Sequence, residues 1–200
     1  MTRERYQFLL LLVSFIEGGS LMSFEILSSK LYTPYLGSSI YVWTAILTVT
    51  LIGLAIGYRL GGKYAENGAR KKVLQALAAA AILVGLSSFL SKPVLEAMLS
   101  MDVKTASLFG GMAIIFLPVL AMGMVSPLIV GLLTSNGTRL SMASGLVYGI
   151  GTLGGILLLL LTTFFLIPTI GVRASTFVLG CLLIVAALTV FIVKEPEHEK

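Results

Sequence analysis

Two carboxylates in the first apolar segment are the residues best suited to chemistry. Glu17 and Glu25 interrupt the apolar run of residues 6–27, and Ser20 lies one helical turn after Glu17. On a helix the two carboxylates would point within about 80° of each other, about 12 Å apart along the axis. A carboxylate at membrane depth is costly and usually faces a cavity or a partner. The pattern favours binding of a cation or proton by Glu17, Glu25 and Ser20. The alternative is that Glu17 is protonated and hydrogen-bonded, with Glu25 in water at the interface.

Other site chemistries have little support in the sequence. Cys181 is the single cysteine and lies in an apolar run, and the single histidine, His198, lies in the polar tail. Neither a disulfide nor a thiolate or histidine metal site can form from one residue of each kind. We therefore predict no catalytic residues, no metal and no cofactor, and we expect that the protein is not an enzyme.

The composition indicates an integral membrane protein. Of 200 residues, 57% are hydrophobic and 12% are charged, and the mean hydropathy is +1.01. Soluble domains carry about 25% charged residues, and a helix needs about 20 residues to cross the hydrocarbon core. The sequence predicts a single all-α transmembrane domain over residues 1–200, with no soluble domain. Its six predicted helices are 6–27, 39–61, 73–90, 106–133, 141–167 and 175–193.

The distribution of charge predicts the orientation. Most of the 14 Lys and Arg residues would lie on one side of the membrane, which the positive-inside rule makes the cytoplasm. Both termini should then be cytoplasmic, in a multi-pass protein of the inner membrane. The basic residues are spread over the ends of apolar runs, so we expect no nucleic-acid partner. Aromatic residues around the first outer loop, Tyr32 among them, would anchor the interface, and Lys92-Pro93 would begin a second outer loop that contains an interfacial turn of helix.

Glycines and prolines mark the predicted helices 2, 4 and 5. Small residues at four-residue spacing let helix backbones approach closely, either within one chain or between two chains of a dimer. Proline kinks a helix and frees backbone carbonyls, which in transporters often marks a binding site or gate; a static kink is the alternative. The glycines are Gly53, Gly57 and Gly61 in helix 2 and Gly145 and Gly149 in helix 5, and the prolines are Pro118 and Pro127 in helix 4.

The loop after helix 2 combines glycines with an acidic and a basic residue, namely Gly62, Glu66, Gly68 and Arg70. This spacing resembles the motif Gly-x-x-Ala-Asp-Arg-x-Gly-Arg-Arg of the major facilitator superfamily, which lies in the cytoplasmic loop between helices 2 and 3. In this chain glutamate replaces aspartate and the turn is one residue shorter. The resemblance implies that Glu66 and Arg70 act as a gate latch between two halves of a transporter.

A second resemblance covers nearly the whole chain. The stretches that carry it are Phe24-Glu25-Ile26-Leu27, residues 35–44, Gly57-Tyr58 through Gly62, residues 122–127, Gly145-Leu146-Val147-Tyr148, Thr152-Leu153-Gly154 and Phe165-Leu166-Ile167-Pro168. Together they resemble the membrane domain of bacterial spermidine synthase-like fusion proteins. Those relatives carry a soluble aminopropyltransferase domain after the membrane part, so the resemblance passes no catalytic residue to this chain.

These resemblances imply a six-helix half of a major-facilitator-like transporter, built from two inverted three-helix repeats. A parallel homodimer in the lipid bilayer would complete it, because closed two-fold symmetry is the commonest assembly. Helices 2 and 5 would lie near the dimer interface, and helices 1 and 4 would line a central cavity. The expected substrate is a small cationic, polyamine-like solute, moved by alternating access and coupled to protons. The alternative function is a non-transporting scaffold or regulator for a soluble aminopropyltransferase.

Overall fold

The structure, a computed structural model, describes residues 2–66 and 68–192, and every regular element in that part of the chain is a helix. Residue 193, predicted to end the sixth helix, and the polar tail with His198 lie outside it. The helices are α1 (Arg3–Leu36), α2 (Ile40–Ala65), α3 (Ala69–Ala97), α4 (Val103–Ile114), α5 (Phe116–Ser135), α6 (Leu140–Leu161), a π-helical turn (Thr162–Leu166) and α7 (Ile167–Ile192).

Five stretches of helix are long and apolar enough to cross a membrane, which fits an all-α multi-pass membrane protein. The last of them, Leu140–Ile192, runs through α6, the π-helical turn and α7 over 53 residues. A straight helix of that length would measure about 80 Å, against a hydrocarbon core of about 30 Å. The run is broken at Gly171, where φ is 79° and ψ is 169°. Such a backbone conformation is open to glycine and strained for other residues.

Two predicted outer loops are shorter than expected, because helix continues into both of them. Helix α1 runs on to Leu36, so Tyr32 is not an exposed interfacial anchor but is completely buried. Helix α3 continues through Pro93 to Ala97, where an outer loop with a separate turn of helix was expected. The ends of both helices pack on Gly110 of α4. A Cβ added there would lie 3.0 Å from Leu95 Cδ2 and 3.2 Å from the Tyr32 hydroxyl oxygen. This packing holds the extra turns against the bundle.

The predicted fourth helix is interrupted once. Helix α4 ends at Ile114, Ile115 has φ −98° and ψ −37°, and α5 begins at Phe116. Pro118 lies three residues after the break and lacks the N–H that would bond to the Ile114 carbonyl, which accounts for the interruption. Pro127 lies inside α5 without ending it, since that helix continues to Ser135.

Helices α1 and α6 run parallel in close contact. The Gln7 amide donates to the Thr138 hydroxyl at 2.9 Å near the beginning of both helices. Farther along, the Thr162 hydroxyl donates to Ser23 Oγ at 3.0 Å. Between these bonds a Cβ on Gly18 would overlap the backbone of Gly151. The two backbones therefore touch where both carry glycine, the approach that small residues permit in membranes.

Helices α2 and α5 form a second parallel pair. Cβ atoms added at Gly53 and Gly57 would lie 3.3 Å from the Phe116 carbonyl oxygen and 2.6 Å from that of Leu120. One turn later Gly61 meets the backbone of Met124. The glycine stripe predicted in helix 2 is thus filled by α5 of the same chain.

Helices α3 and α7 pack antiparallel. At one end the Arg70 guanidinium reaches the Val190 carbonyl, and at the other the Ser88 hydroxyl donates to the Arg173 carbonyl at 3.4 Å. We call the end of the bundle where α1 begins the N-terminal end, and the end where α1 stops the opposite end. Arg70 lies at the N-terminal end, while Ser88 and Arg173 lie toward the opposite end.

Candidate functional site

A cavity of about 200 Å³ opens between α1, α2, α5 and α6. Its polar side chains come from all four of these helices, and its remaining walls are apolar side chains and glycine backbone. Helix α1 contributes the one carboxylate. The polar lining residues are Glu17, Tyr58, Ser126, Tyr148 and Thr152.

Glu17 is held in the cavity wall by a neutral partner. Only 3% of the residue is exposed, and its Oε2 accepts a hydrogen bond from the Ser126 hydroxyl at 3.1 Å. In the described ranges the one ion pair within 4.0 Å joins Lys92 to Glu96, so no cationic side chain neutralises Glu17. Burying a carboxylate without a cationic partner costs free energy. An unpaired carboxylate of this kind is expected where a proton or a cationic ligand provides the positive charge.

The glycine beside Glu17 positions it. Gly18 lies against Gly151 of α6, so α1 is drawn onto α6 at the level of the carboxylate. Glu17 itself turns about 100° away from Gly18 around the helix and reaches Ser126 of α5. The residue after Ser126 is Pro127, which has no N–H to donate.

Two tyrosines flank the carboxylate. The rings of Tyr58 and Tyr148 meet edge to face, with centroids 6.1 Å apart and planes at 84°. Tyr148 also lines a second cavity of about 700 Å³ toward the N-terminal end, whose wall includes Gly62, Glu66 and Pro127. Tyr148 thus lies between the Glu17 cavity and the surface formed by the predicted loop motif. Aromatic faces and a carboxylate together are the groups that bind organic ammonium ions.

Two residues predicted to join Glu17 are placed elsewhere. Glu25 is half-buried two turns farther along α1 and is not among the residues that line the Glu17 cavity. Ser20 is completely buried, and its hydroxyl has no hydrogen-bond partner in the part of the chain that is described. The structure therefore joins Glu17 to Ser126 and not to Ser20 or Glu25.

The loop motif caps a helix in this structure. Gly68 precedes α3 with φ 66°, a left-handed conformation that suits glycine. The Arg70 guanidinium donates to the carbonyl oxygens of Val190 at 3.2 Å and Phe191 at 2.8 Å, so it caps the end of α7. Glu66 is exposed and lies, with Arg70, on a crevice of about 560 Å³. The latch role of Glu66 and Arg70 stays a prediction.

The two predicted glycine stripes differ in their surroundings. Gly53, Gly57 and Gly61 are buried against α5 of the same chain. Gly145 and Gly149 are exposed, and a Cβ at either would meet no heavy atom within 4 Å. Of the two stripes, the one on α6 is therefore the one that leaves an open surface.

Sequence reasoning missed Ser126, Tyr58 and Tyr148 as site residues. A signal for Tyr58 was present, because α1 and α2 join at residues 37–39 and Tyr58 is about as many residues after that joint as Glu17 is before it. Equal distances from a tight connection place two residues at similar depth. No comparable signal links Ser126 to Glu17, since α5 lies far along the chain.

No metal centre is evident: within residues 2–66 and 68–192, no group of three or more His, Cys, Asp or Glu side chains could hold a metal ion. Comparisons with protein-family models, curated proteins and solved structures found no match to this chain.

Proposed function

We propose that this protein is a membrane transporter for a small organic cation, polyamine-like in chemistry, and that it works as a homodimer of six-helix halves. The observation that carries the proposal is the Glu17 carboxylate, buried in a cavity wall with only the Ser126 hydroxyl as partner. Such a carboxylate does not stabilise the fold, because no cationic side chain of the protein offsets the free energy that desolvation of the carboxylate costs. Intramembrane carboxylates of this kind mark substrate or proton paths.

The cavity suits an organic ammonium better than a metal ion. One carboxylate, two aliphatic hydroxyls and two phenol rings line it, whereas a hard divalent cation prefers six or more oxygen ligands. The Tyr58 and Tyr148 rings offer faces or hydroxyls to a cation held at Glu17. A proton on Glu17 would compete with that cation, which couples the movement of solute to that of protons.

The helix pairing supports an inverted-repeat architecture with six crossings. In this proposal α1 to α3 form one repeat, and α4 with α5, α6 and α7 form the other. If the two repeats are exchanged, α2 takes the place of α6 and α5 takes the place of α1. The parallel pair of α2 and α5 then coincides with the parallel pair of α6 and α1. The antiparallel pair of α3 and α7 is turned into itself. Both parallel pairs are built on glycine contacts, and repeats of this kind are common in transporters.

The homodimer is proposed because the site is open toward an unfilled face. Tyr58 and Tyr148 are exposed beside the cavity, and Gly145 and Gly149 continue the open surface along α6. A second copy on this face would close the cavity and place its own Glu17 across the path. We expect Gly149→Leu to abolish cross-linking between copies in liposomes while the monomer keeps its helicity. Unchanged cross-linking would contradict the proposed interface.

Charge movement in proteoliposomes tests the function. Purified protein would face spermidine, putrescine, other organic cations and neutral amino acids, with and without a pH gradient. We expect a saturable, cation-dependent current that falls at least tenfold in Glu17→Gln. Glu96→Gln is the matched control, because this exposed carboxylate lies outside the cavity and contacts only Lys92 among ion-pair partners. Glu25→Gln is measured separately to assess the second predicted carboxylate.

Two results would overturn the proposal. One is an equal current from Glu17→Gln and wild type. The other is silence across the panel from protein with native helicity. That second result would favour the scaffold alternative, which predicts binding of a soluble aminopropyltransferase to the basic N-terminal end.

A further inference from the structure

A groove on the outer surface between α3 and α7 is unrelated to the Glu17 cavity. It has a volume of about 480 Å³ and lies toward the opposite end of the bundle. Its walls are mainly apolar, with Phe89 and Pro93 from α3 and Phe177 and Val178 from α7. Two cationic side chains, Lys92 and Arg173, complete its rim.

The two cations of the rim belong to opposite walls, and both lie close to a hydrogen bond that joins these walls. The Ser88 hydroxyl donates to the Arg173 carbonyl at 3.4 Å, which fixes the beginning of α7 against α3. Lys92 follows Ser88 by one turn of α3. Both cations therefore lie within about one helical turn of the place where the two walls meet.

The charge of the rim is only partly matched by the protein. Lys92 Nζ lies 3.9 Å from Glu96 Oε1 in an exposed pair, and pairs of this kind hold their partners weakly. In the described part of the chain, Arg173 has no carboxylate within 4.0 Å. One carboxylate against two cations leaves the groove positive.

Each wall has its cation toward the end of the bundle and its aromatic ring toward the middle. On α3, Phe89 comes one turn before Lys92, and on α7, Phe177 comes one turn after Arg173. Both rings are largely exposed, Phe89 by 72% and Phe177 by 57%. Because the helices are antiparallel, the two walls present the same order from charge to hydrocarbon, which is also the order of a phospholipid in its leaflet.

We propose that the groove binds one anionic phospholipid, of the phosphatidylglycerol type, from the leaflet at the opposite end of the bundle. Its phosphate lies between Lys92 and Arg173, where the guanidinium fork suits two phosphate oxygens. An acyl chain lies between Phe89 and Phe177, against Val178. A free phosphate ion would use the cations alone, so the apolar walls select the lipid. Basic pockets between transmembrane helices are known to bind anionic headgroups.

Native mass spectrometry of the protein released from detergent tests the proposal. The wild type would be titrated with phosphatidylglycerol and, in parallel, with phosphatidylcholine. A basic residue near a membrane surface is worth about fivefold in affinity for anionic lipid. We therefore expect the variant Lys92→Gln with Arg173→Gln to lose about 25-fold for phosphatidylglycerol and little for phosphatidylcholine. Binding of the two lipids by the wild type with equal affinity would overturn the proposal.

Two further variants separate this site from diffuse attraction. Lys30→Gln with Lys104→Gln removes the same charge at the same end of the bundle; Lys104 lies over the Tyr41 ring and neither residue lines the groove. This variant should bind phosphatidylglycerol like the wild type, and an equal loss would refute a defined site. Val178→Trp keeps both cations and fills the groove, and it should also lose the lipid. Retention of phosphatidylglycerol by that variant would show that no acyl chain lies there.

Discussion

The contact between α2 and α5 allows a prediction whose size can be worked from geometry. In Gly57→Ala the new methyl carbon would lie 2.6 Å from the Leu120 carbonyl oxygen and 3.1 Å from Gly123 Cα. These are backbone atoms of a helix, so no side chain can rotate away. Ordinary contact begins at 3.4 Å, so the helices must separate by about 0.8 Å at this level.

That displacement has two opposing consequences for stability. Overpacking of a tight interior costs about 1–3 kcal/mol. Alanine favours a helix over glycine by about 1 kcal/mol, which offsets part of the cost. We expect Gly57→Ala to lower the free energy of unfolding by up to about 2 kcal/mol relative to wild type, and by about 1–3 kcal/mol relative to a glycine-to-alanine change without overpacking.

Unfolding in mixed micelles, titrated with SDS and followed by far-ultraviolet circular dichroism, measures this difference. Gly149→Ala is the matched control, because it makes the same change in a helix where the added Cβ meets no atom within 4 Å. The control should be as stable as the wild type or slightly more so. If Gly57→Ala unfolds at the same SDS fraction as the control, the close packing of α2 on α5 is refuted.

Three further substitutions test other contacts. Ser126→Ala removes the hydroxyl donor of Glu17, and since hydrogen bonds to charged groups are worth about 1.5–3 kcal/mol, cation-driven current should fall about tenfold or more; a current equal to wild type would contradict the role of this bond. Arg70→Gln removes the guanidinium from the Val190 carbonyl, so amide hydrogen exchange should speed up in the last turn of α7, and unchanged protection there would argue against the cap. Gly171→Ala puts a side chain where φ is 79°, and it should lower the free energy of unfolding by about 1–3 kcal/mol in the same SDS titration. Unchanged stability would show that the backbone at this position is not strained by a side chain.

The helices could be predicted from the sequence, but their ends could not. Apolar runs of about 20 residues identify spans because lipid offers no partners to the backbone. The extra turns of α1 and α3 depend instead on Tyr32 and Leu95 meeting Gly110, a contact between residues far apart in the chain. Pro93 suggested a loop by local rules, and the tertiary packing of Leu95 prevailed.

The candidate site was predictable in its carboxylate and not in its partners. Glu17 is distinctive because a charge in an apolar run demands an explanation. Ser126 is not, because most hydroxyls in such helices bond to their own backbone, as Ser107 does to the Val103 carbonyl and Thr176 to that of Val172. The sequence does not reveal which hydroxyl turns to another helix.

Tight packing and the open cavity are two results of the same contacts. Gly18 brings α1 against Gly151 of α6, and Gly57 brings α2 against Gly123 of α5. Gly18 and Gly57 each have a polar residue of the cavity as a chain neighbour. Glu17 directly precedes Gly18, and Tyr58 directly follows Gly57. Neighbouring positions on a helix point about 100° apart, so a helix that presents glycine to its parallel partner presents the polar side chain to the space beside that contact. A change of the glycine contact would therefore move the carboxylate and the tyrosine together, which gives the two helix pairs a direct mechanical connection to the cavity between them.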